Sequence, residues 1–178
     1  KTKMIKKKNP TIKEIFTSAF QNHQKTNFQT AKKLYEKVLK VNPNHFESIL
    51  LLGSLSAQMK NFDEAKQLIN KAIKINPNHQ VAYNNLGNVF KETGELQNAV
   101  QNYKKAIKIN PNFAEAHYNL GIVLKELGKL QNAIKSYQKA IKINPNYAEA
   151  MNNLGIVYQE LGEKEKAIKR YKKAIKIN

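Results

Sequence analysis

The sequence has no cysteine and no tryptophan, a single arginine (Arg170), and only seven glycines and five prolines in 178 residues. Without cysteine there are no disulfides, no thiolate metal ligands and no thiol nucleophile, so thiol redox chemistry is excluded. No apolar run approaches the roughly 18 to 20 residues that a membrane span requires. Residues 1–8 are basic like the start of a secretory leader, but the apolar stretch that follows, Ile15 and Phe16 and then Thr17 and Ser18, is too short and too polar to complete one. The expectation is a cytoplasmic chain. Lys at position 1, and an end at Asn178 where another proline should follow, point to a piece of a longer polypeptide with Met4 as a candidate start.

The scarcity of arginine qualifies the charge. There are 31 Lys plus Arg against 13 Asp plus Glu, a formal net charge of +18, which raises nucleic acid or another anionic surface as a partner. Specific readers of phosphate and guanine favour the flat bidentate arginine fork, whereas lysine is a hydrated point charge that also makes ordinary solvated surface. The expectation is weak contact with anionic surfaces and no specific nucleic-acid binding.

What is present is a repeat. Pro43, Pro77, Pro111 and Pro145 lie 34 residues apart, each within Asn-Pro-Asn, and Pro10 precedes Pro43 by 33. Numbering one unit from Gln80 to Phe113 as slots 1 to 34 places Tyr83, Leu86, Gly87 and Phe90 at slots 4, 7, 8 and 11. Ala99, Tyr103, Ala106 and Pro111 follow at slots 20, 24, 27 and 32. At 100° per residue the first four share one face of a first helix, and slots 20, 24 and 27 share one face of a second. Gly94, Gly128 and Gly162 stand where the first helix needs a left-handed terminal residue, and the prolines stop the second. Gly53, Gly87, Gly121 and Gly155 allow the second helix to approach the first.

The pattern strongly resembles the tetratricopeptide repeat over nearly the whole chain. The resemblance implies an all-α, right-handed α-solenoid of tandem helix-turn-helix repeats. The units are read as a basic tail (residues 1–11), a degenerate first repeat (12–45), full repeats (46–79, 80–113 and 114–147) and a truncated fifth (148–178). Solenoid repeats cannot cover their apolar faces alone, so neighbours stack, and the truncated last repeat is expected to self-associate through its second helix.

This scheme consumes every glycine and proline, leaving none for a phosphate-binding loop. His23, His45, His79 and His117 show no metal-ligand spacing, and His117, in a core slot, reads as a packed histidine. No serine or carboxylate is placed with a base and an orienting partner. The expectation is a chain with no cofactor, no metal and no catalysis of its own.

In tetratricopeptide proteins the face of the first helix opposite the core lines the concave groove. Asn85, Asn119 and Asn153 repeat there at slot 6, with Asn84, Asn88 and Asn152 beside them, and Tyr118, Lys91 and Lys125 complete the candidate peptide-binding set. An amide offers both a donor and an acceptor, so a ladder of them suits the backbone of an extended peptide. The arrangement resembles the asparagine ladder of O-linked N-acetylglucosamine transferases. The carboxylate clamp of some family members is incomplete, because Glu149 and Asn153 stand where its last cations belong.

Lysines recur at slot 26 (Lys37, Lys71, Lys105, Lys139 and Lys173) and slot 29, projecting from the second helix away from the core. The reading is a scaffold that binds a protein or extended peptide. Two alternatives are the recruiting arm of a longer glycosyltransferase or sulfotransferase, and an anion-binding surface along the lysine stripe.

Overall fold

A computed structural model of the chain describes residues 10–177. Of the basic tail, residues 1–9 lie outside the described residues, as does Asn178. The described residues form ten helices and no strand: α1 (Ile12–Gln24), α2 (Phe28–Val41), α3 (Phe46–Gln58), α4 (Phe62–Ile75), α5 (Gln80–Glu92), α6 (Leu96–Ile109), α7 (Ala114–Glu126), α8 (Leu130–Ile143), α9 (Ala148–Glu160) and α10 (Lys164–Ile175). The fold class is all-α, and odd-numbered first helices pair with even-numbered second helices as antiparallel hairpins. The chain divides after Asn76 into two units, α1 to α4 and α5 to α10.

Each hairpin turn is built by backbone. In the α5–α6 turn the Glu95 N–H donates to the Phe90 carbonyl at 2.8 Å and the Gly94 N–H to the Lys91 carbonyl at 3.0 Å. This paired pattern ends a helix around a left-handed residue, and Gly94 has φ +76°. The first two hairpins make the same turn with Thr26 (φ 60°) and Lys60 (φ 62°) in the glycine's place. The Asn-Pro-Asn segments close by side chain as well as backbone: the amide oxygens of Asn42, Asn110 and Asn144 accept from the backbone N–H two residues on, at 3.2, 3.0 and 3.1 Å, and their carbonyls from the N–H three residues on. Those asparagines belong to the turns. The first helices start on Thr11, in a reciprocal cap with Glu14, and on the rings of His45 and His79, which accept from the Ser48 and Ala82 N–H groups.

Packing between hairpin partners depends on close approach. A Cβ added at Gly121 would lie 2.6 Å from Cε1 of Tyr137, so the tyrosine ring occupies the space a side chain would need. In the second unit Tyr103, Tyr137, Leu154, Val123 and Val157 are buried in one core with Ala99, Ala133 and Ala167. α7 packs on α5 and α6, and α9 on α7 and α8. In the first unit α3 packs on α1 and α2 around Ala19, Ala31, Tyr35, Leu52 and Leu55. The first helix of all departs from the others where they are most alike. Ser48, Ala82, Ala116 and Ala150 at slot 3, and Leu55, Val89, Val123 and Val157 at slot 10, are buried, whereas Glu14 and Gln21 hold those slots on α1 and are exposed. The degenerate repeat thus presents a polar face, as an end cap does.

Candidate functional site

The nine candidate residues lie on α5, α7 and α9 of the second unit, but the structure gives them different roles. Residues 35 apart in sequence meet because slot 6 of one first helix lies beside slot 5 of the preceding one. Asn119 Nδ2 donates to Asn84 Oδ1 at 3.1 Å, and Asn84 Nδ2 donates to Glu115 Oε1 at 2.9 Å. Asn119 and Asn84 are 8% and 1% exposed, so this pair is sealed between helices. These two asparagines, expected to face a ligand, are spent on joining repeats, because the face that looks free on an isolated helix is covered once the next hairpin stacks against it.

The following rung has the same register and a different end. Asn153 Nδ2 donates to the hydroxyl oxygen of Tyr118 at 3.1 Å, and both side chains are half-buried rather than sealed. Here a tyrosine stands where Asn84 stands one repeat earlier, and its hydroxyl proton is not consumed by a described acceptor. The Tyr118 ring packs against Tyr137 and Tyr147 with centroids 6.0 and 4.9 Å away. Burial raises the pKa of Tyr118 and of Tyr147, the latter to about 12, with nearby carboxylates adding to the effect, so both stay protonated donors.

The remaining candidates fall into place around this rung. Asn88 accepts from the Tyr103 hydroxyl at 2.8 Å, a bond between hairpin partners. Asn85 is half-buried on α5 and Asn152 is exposed on α9. Lys91 pairs with Glu92 at 3.2 Å and Lys125 reaches from α7 to Glu160 of α9 at 3.0 Å. Tyr118, Asn152 and Asn153 border a cavity of about 450 Å³ that also touches Glu149, Tyr171 and Ile175. The candidate binding set left out Glu149, read as a departure from the carboxylate clamp, and the tyrosines at slots 24 and 34, of which those at slot 24 were read as core. The aromatic at slot 34 (Tyr147, like Phe113 before it) was a legible signal, since a histidine caps the helix there in the two earlier repeats.

His117 is buried and its Nε2 lies 3.0 Å from the Pro111 carbonyl, the packed role expected of it. Among the described residues no group of three or more His, Asp or Glu side chains could hold a metal ion. No described helix is long and apolar enough to cross a membrane. On the outer face, part of the lysine stripe has internal partners: Lys71 donates to the Pro43 carbonyl at 2.7 Å and Lys105 lies 5.6 Å from the centre of the Tyr83 ring.

Comparison with known proteins gives a consistent result. Family models described as tetratricopeptide repeat match residues 23–87 and 112–178, and one described as TPR repeat matches 87–128. No curated protein sequence matches. Among solved structures, a crystal structure of MamA is 31% identical, with 89% of this chain and 93% of that one covered at a TM-score of 0.79. YrrB, described as a TPR protein with an unusual peptide-binding site, is 23% identical over 93% of this chain and 85% of its own, with a TM-score of 0.70. PilF of Pseudomonas aeruginosa is 18% identical over 94% of this chain and 76% of its own, with a TM-score of 0.87. The repeat register, the helical hairpins and these matches agree, and the chain belongs to the tetratricopeptide repeat family.

Proposed function

We propose that the chain is a protein-interaction scaffold without catalysis of its own, and that its second unit binds an extended peptide along α7 and α9. The observation that carries this reading is the Asn153–Tyr118 rung beside the cavity of about 450 Å³. A donor hydroxyl and an acceptor amide oxygen side by side match the C=O and N–H of one peptide residue, which recognises backbone with little regard for sequence. Asn152, exposed on α9, extends the polar surface beside the rung. Lys91 and Lys125, held in ion pairs, act as rim rather than as ligand grips.

The test is peptide selection from a random library followed by affinity measurement. Changing Tyr118 and Asn153 together to Ala is expected to weaken selected peptides by roughly ten-fold or more, given about 0.5 to 1.5 kcal/mol for each hydrogen bond lost. Changing Lys105, Lys139 and Lys173 to Gln is expected to leave affinity within a few fold. The opposite pattern would move the working surface to the outer lysine stripe.

A further inference from the structure

We infer that the peptide bound by the second unit is basic, and that the cavity beside Tyr118 takes one of its arginine or lysine side chains against Glu149. This deepens the peptide-binding reading above and rests on it.

The chain as a whole is strongly cationic, but its charge is sorted by helix. In the second unit, first helices α5, α7 and α9 carry five glutamates against two lysines, a net of −3, while second helices α6, α8 and α10 carry twelve cations against one glutamate, a net of +11. The sorting steepens along the unit, from neutral on α5 to −1 on α7 and −2 on α9. Both first-helix lysines are already paired, Lys91 with Glu92 and Lys125 with Glu160. Glu149 is exposed and has no ion pair among the described residues.

The cavity supplies what a cation needs beyond one carboxylate. It is bordered by Tyr118, Glu149, Asn152, Asn153, Tyr171 and Ile175, with no lysine on its wall despite the basic character of α10. The charge of Glu149 reaches Tyr118 and Tyr147, where it adds to the effect of burial in holding both phenols protonated. An aromatic wall beside a carboxylate is a favourable seat for a guanidinium or ammonium group, and the amide oxygens of Asn152 and Asn153 can accept its N–H groups. The unit already seats two of its own lysines over aromatic rings, Lys105 over Tyr83 at 5.6 Å and Lys166 over Tyr158 at 5.4 Å, the latter also paired with Glu163. An acidic segment or a C-terminal carboxylate would meet Glu149 with like charge. A second copy presenting its own α10 would bring the lysines of two such helices together.

The experiment uses fluorescence anisotropy at about 0.15 M salt, where the long-range field of the net charge is screened to about 8 Å. The probes are three labelled twelve-residue peptides that alternate serine with arginine, glutamine or glutamate. The arginine peptide is expected to bind most tightly, and Glu149→Gln to weaken it about ten-fold while leaving the glutamine peptide unchanged, as expected for loss of one charge-assisted contact. Circular dichroism checks that the exposed substitution leaves helicity intact. Equal binding of the arginine and glutamine peptides, both indifferent to Glu149→Gln but weakened by Tyr118→Ala with Asn153→Ala, would overturn the cationic subsite and leave the groove reading standing. Preference for the glutamate peptide, lost when Lys105, Lys139 and Lys173 become Gln, would overturn both. So would failure of all three peptides to bind at about millimolar concentration. A dimer at this salt that excludes the arginine peptide would assign the cavity to a second copy and overturn the inference.

Discussion

Asn119 donates its amide to Asn84 across 3.1 Å inside the second unit, and Asn84 passes the polarity on to Glu115 at 2.9 Å. Two amides and a carboxylate thereby cross from one repeat to the next with every link satisfied. Removing the Asn119 side chain leaves the Asn84 oxygen buried without a donor, which costs about 1 to 3 kcal/mol. Asn119→Ala is expected to lower stability by that amount in urea unfolding. Asn153→Ala, which frees a half-buried tyrosine hydroxyl that water can reach, is expected to cost less than about 1 kcal/mol. Equal costs would mean that the two rungs are equally sealed.

The tyrosines at slot 24 supply a second contrast. The Tyr103 hydroxyl donates to Asn88 at 2.8 Å, whereas the equivalent hydroxyl of Tyr137 is buried without a well-formed hydrogen bond and has near it only the Asn153 amide, which is already given to Tyr118. The residue at the position of Asn88 is Ile122 in that repeat, and the nearby Asn153 amide donates to Tyr118 instead. Tyr137→Phe is therefore expected to be neutral or to stabilise by up to about 1 kcal/mol, while Tyr103→Phe costs about 0.5 to 1.5 kcal/mol. Urea midpoints of the two variants against the parent decide it.

The fold was legible because a 34-residue period repeated in proline, glycine and alanine constrains helices, turns and close approaches together. The site was only partly legible. A helical wheel places Asn84 and Asn119 on the outer face of a lone helix, and it contains no information about the neighbouring helix 35 residues away that covers them. The same wheel correctly left Asn152 exposed. Glu149 was read as a missing cation in a clamp, since its place beside Tyr118 and Tyr171 depends on how α9 and α10 sit together. The turn asparagines, the sealed pair and Asn88, which accepts from Tyr103 of its hairpin partner, show that one residue type serves three separate purposes here, which composition cannot separate.

Backbone strain at the first two hairpin turns gives a third prediction. Lys60 and Thr26 hold φ of 62° and 60°, in the slot where Gly94, Gly128 and Gly162 lie at 76°, 70° and 76°. The left-handed region costs a residue with a Cβ roughly 1 to 2 kcal/mol, partly offset by the greater entropy glycine loses on folding. Lys60→Gly is expected to stabilise the first unit by up to about 1 kcal/mol. Thr26→Gly is expected to gain at least as much, because branching at Cβ makes this conformation harder still. Thermal unfolding of each variant measures the gain, and a loss of stability would mean that the lysine or threonine side chain contributes more than the strain it brings.

Acid sensitivity follows from two histidines. Burial lowers the pKa of His117 below its ordinary 6.5, opposed by its bond to the Pro111 carbonyl and assisted by Lys139, and burial likewise lowers that of His23 against its contact with Gln58. Between the folded and unfolded values the unfolded chain binds more protons, so stability rises with pH. The contribution is complete above about pH 6.5 and is lost as pH falls through the folded values. His117→Gln is expected to flatten the decline in urea stability as pH falls below about 6.5. A variant that declines as steeply as the parent would assign the acid sensitivity to the carboxylates instead.

Self-association through α10 provides the last prediction, and its salt dependence distinguishes it from ligand binding. Ile168 and Ile175 are 51% and 75% exposed on α10, whereas Val100 and Ile134, at the slot of Ile168 on α6 and α8, are buried at 8% and 7%. Apolar residues that neighbours cover elsewhere are thus open to solvent here. Lys169, Lys172 and Lys173 on the same helix and Lys176 at its C-terminal cap lie around Ile168, so two such faces repel each other at low ionic strength. Screening shortens from about 10 Å at 0.1 M salt to about 3 Å at 1 M, which removes the repulsion and leaves the apolar contact. Sedimentation velocity is therefore expected to show monomer at low salt and concentration-dependent association near 1 M. Replacing Ile168 and Ile175 by Lys should abolish it. Association that weakens with salt would instead indicate pairing of the lysines with the glutamates of another copy, and a chain monomeric in both conditions would remove α10 as a self-association surface.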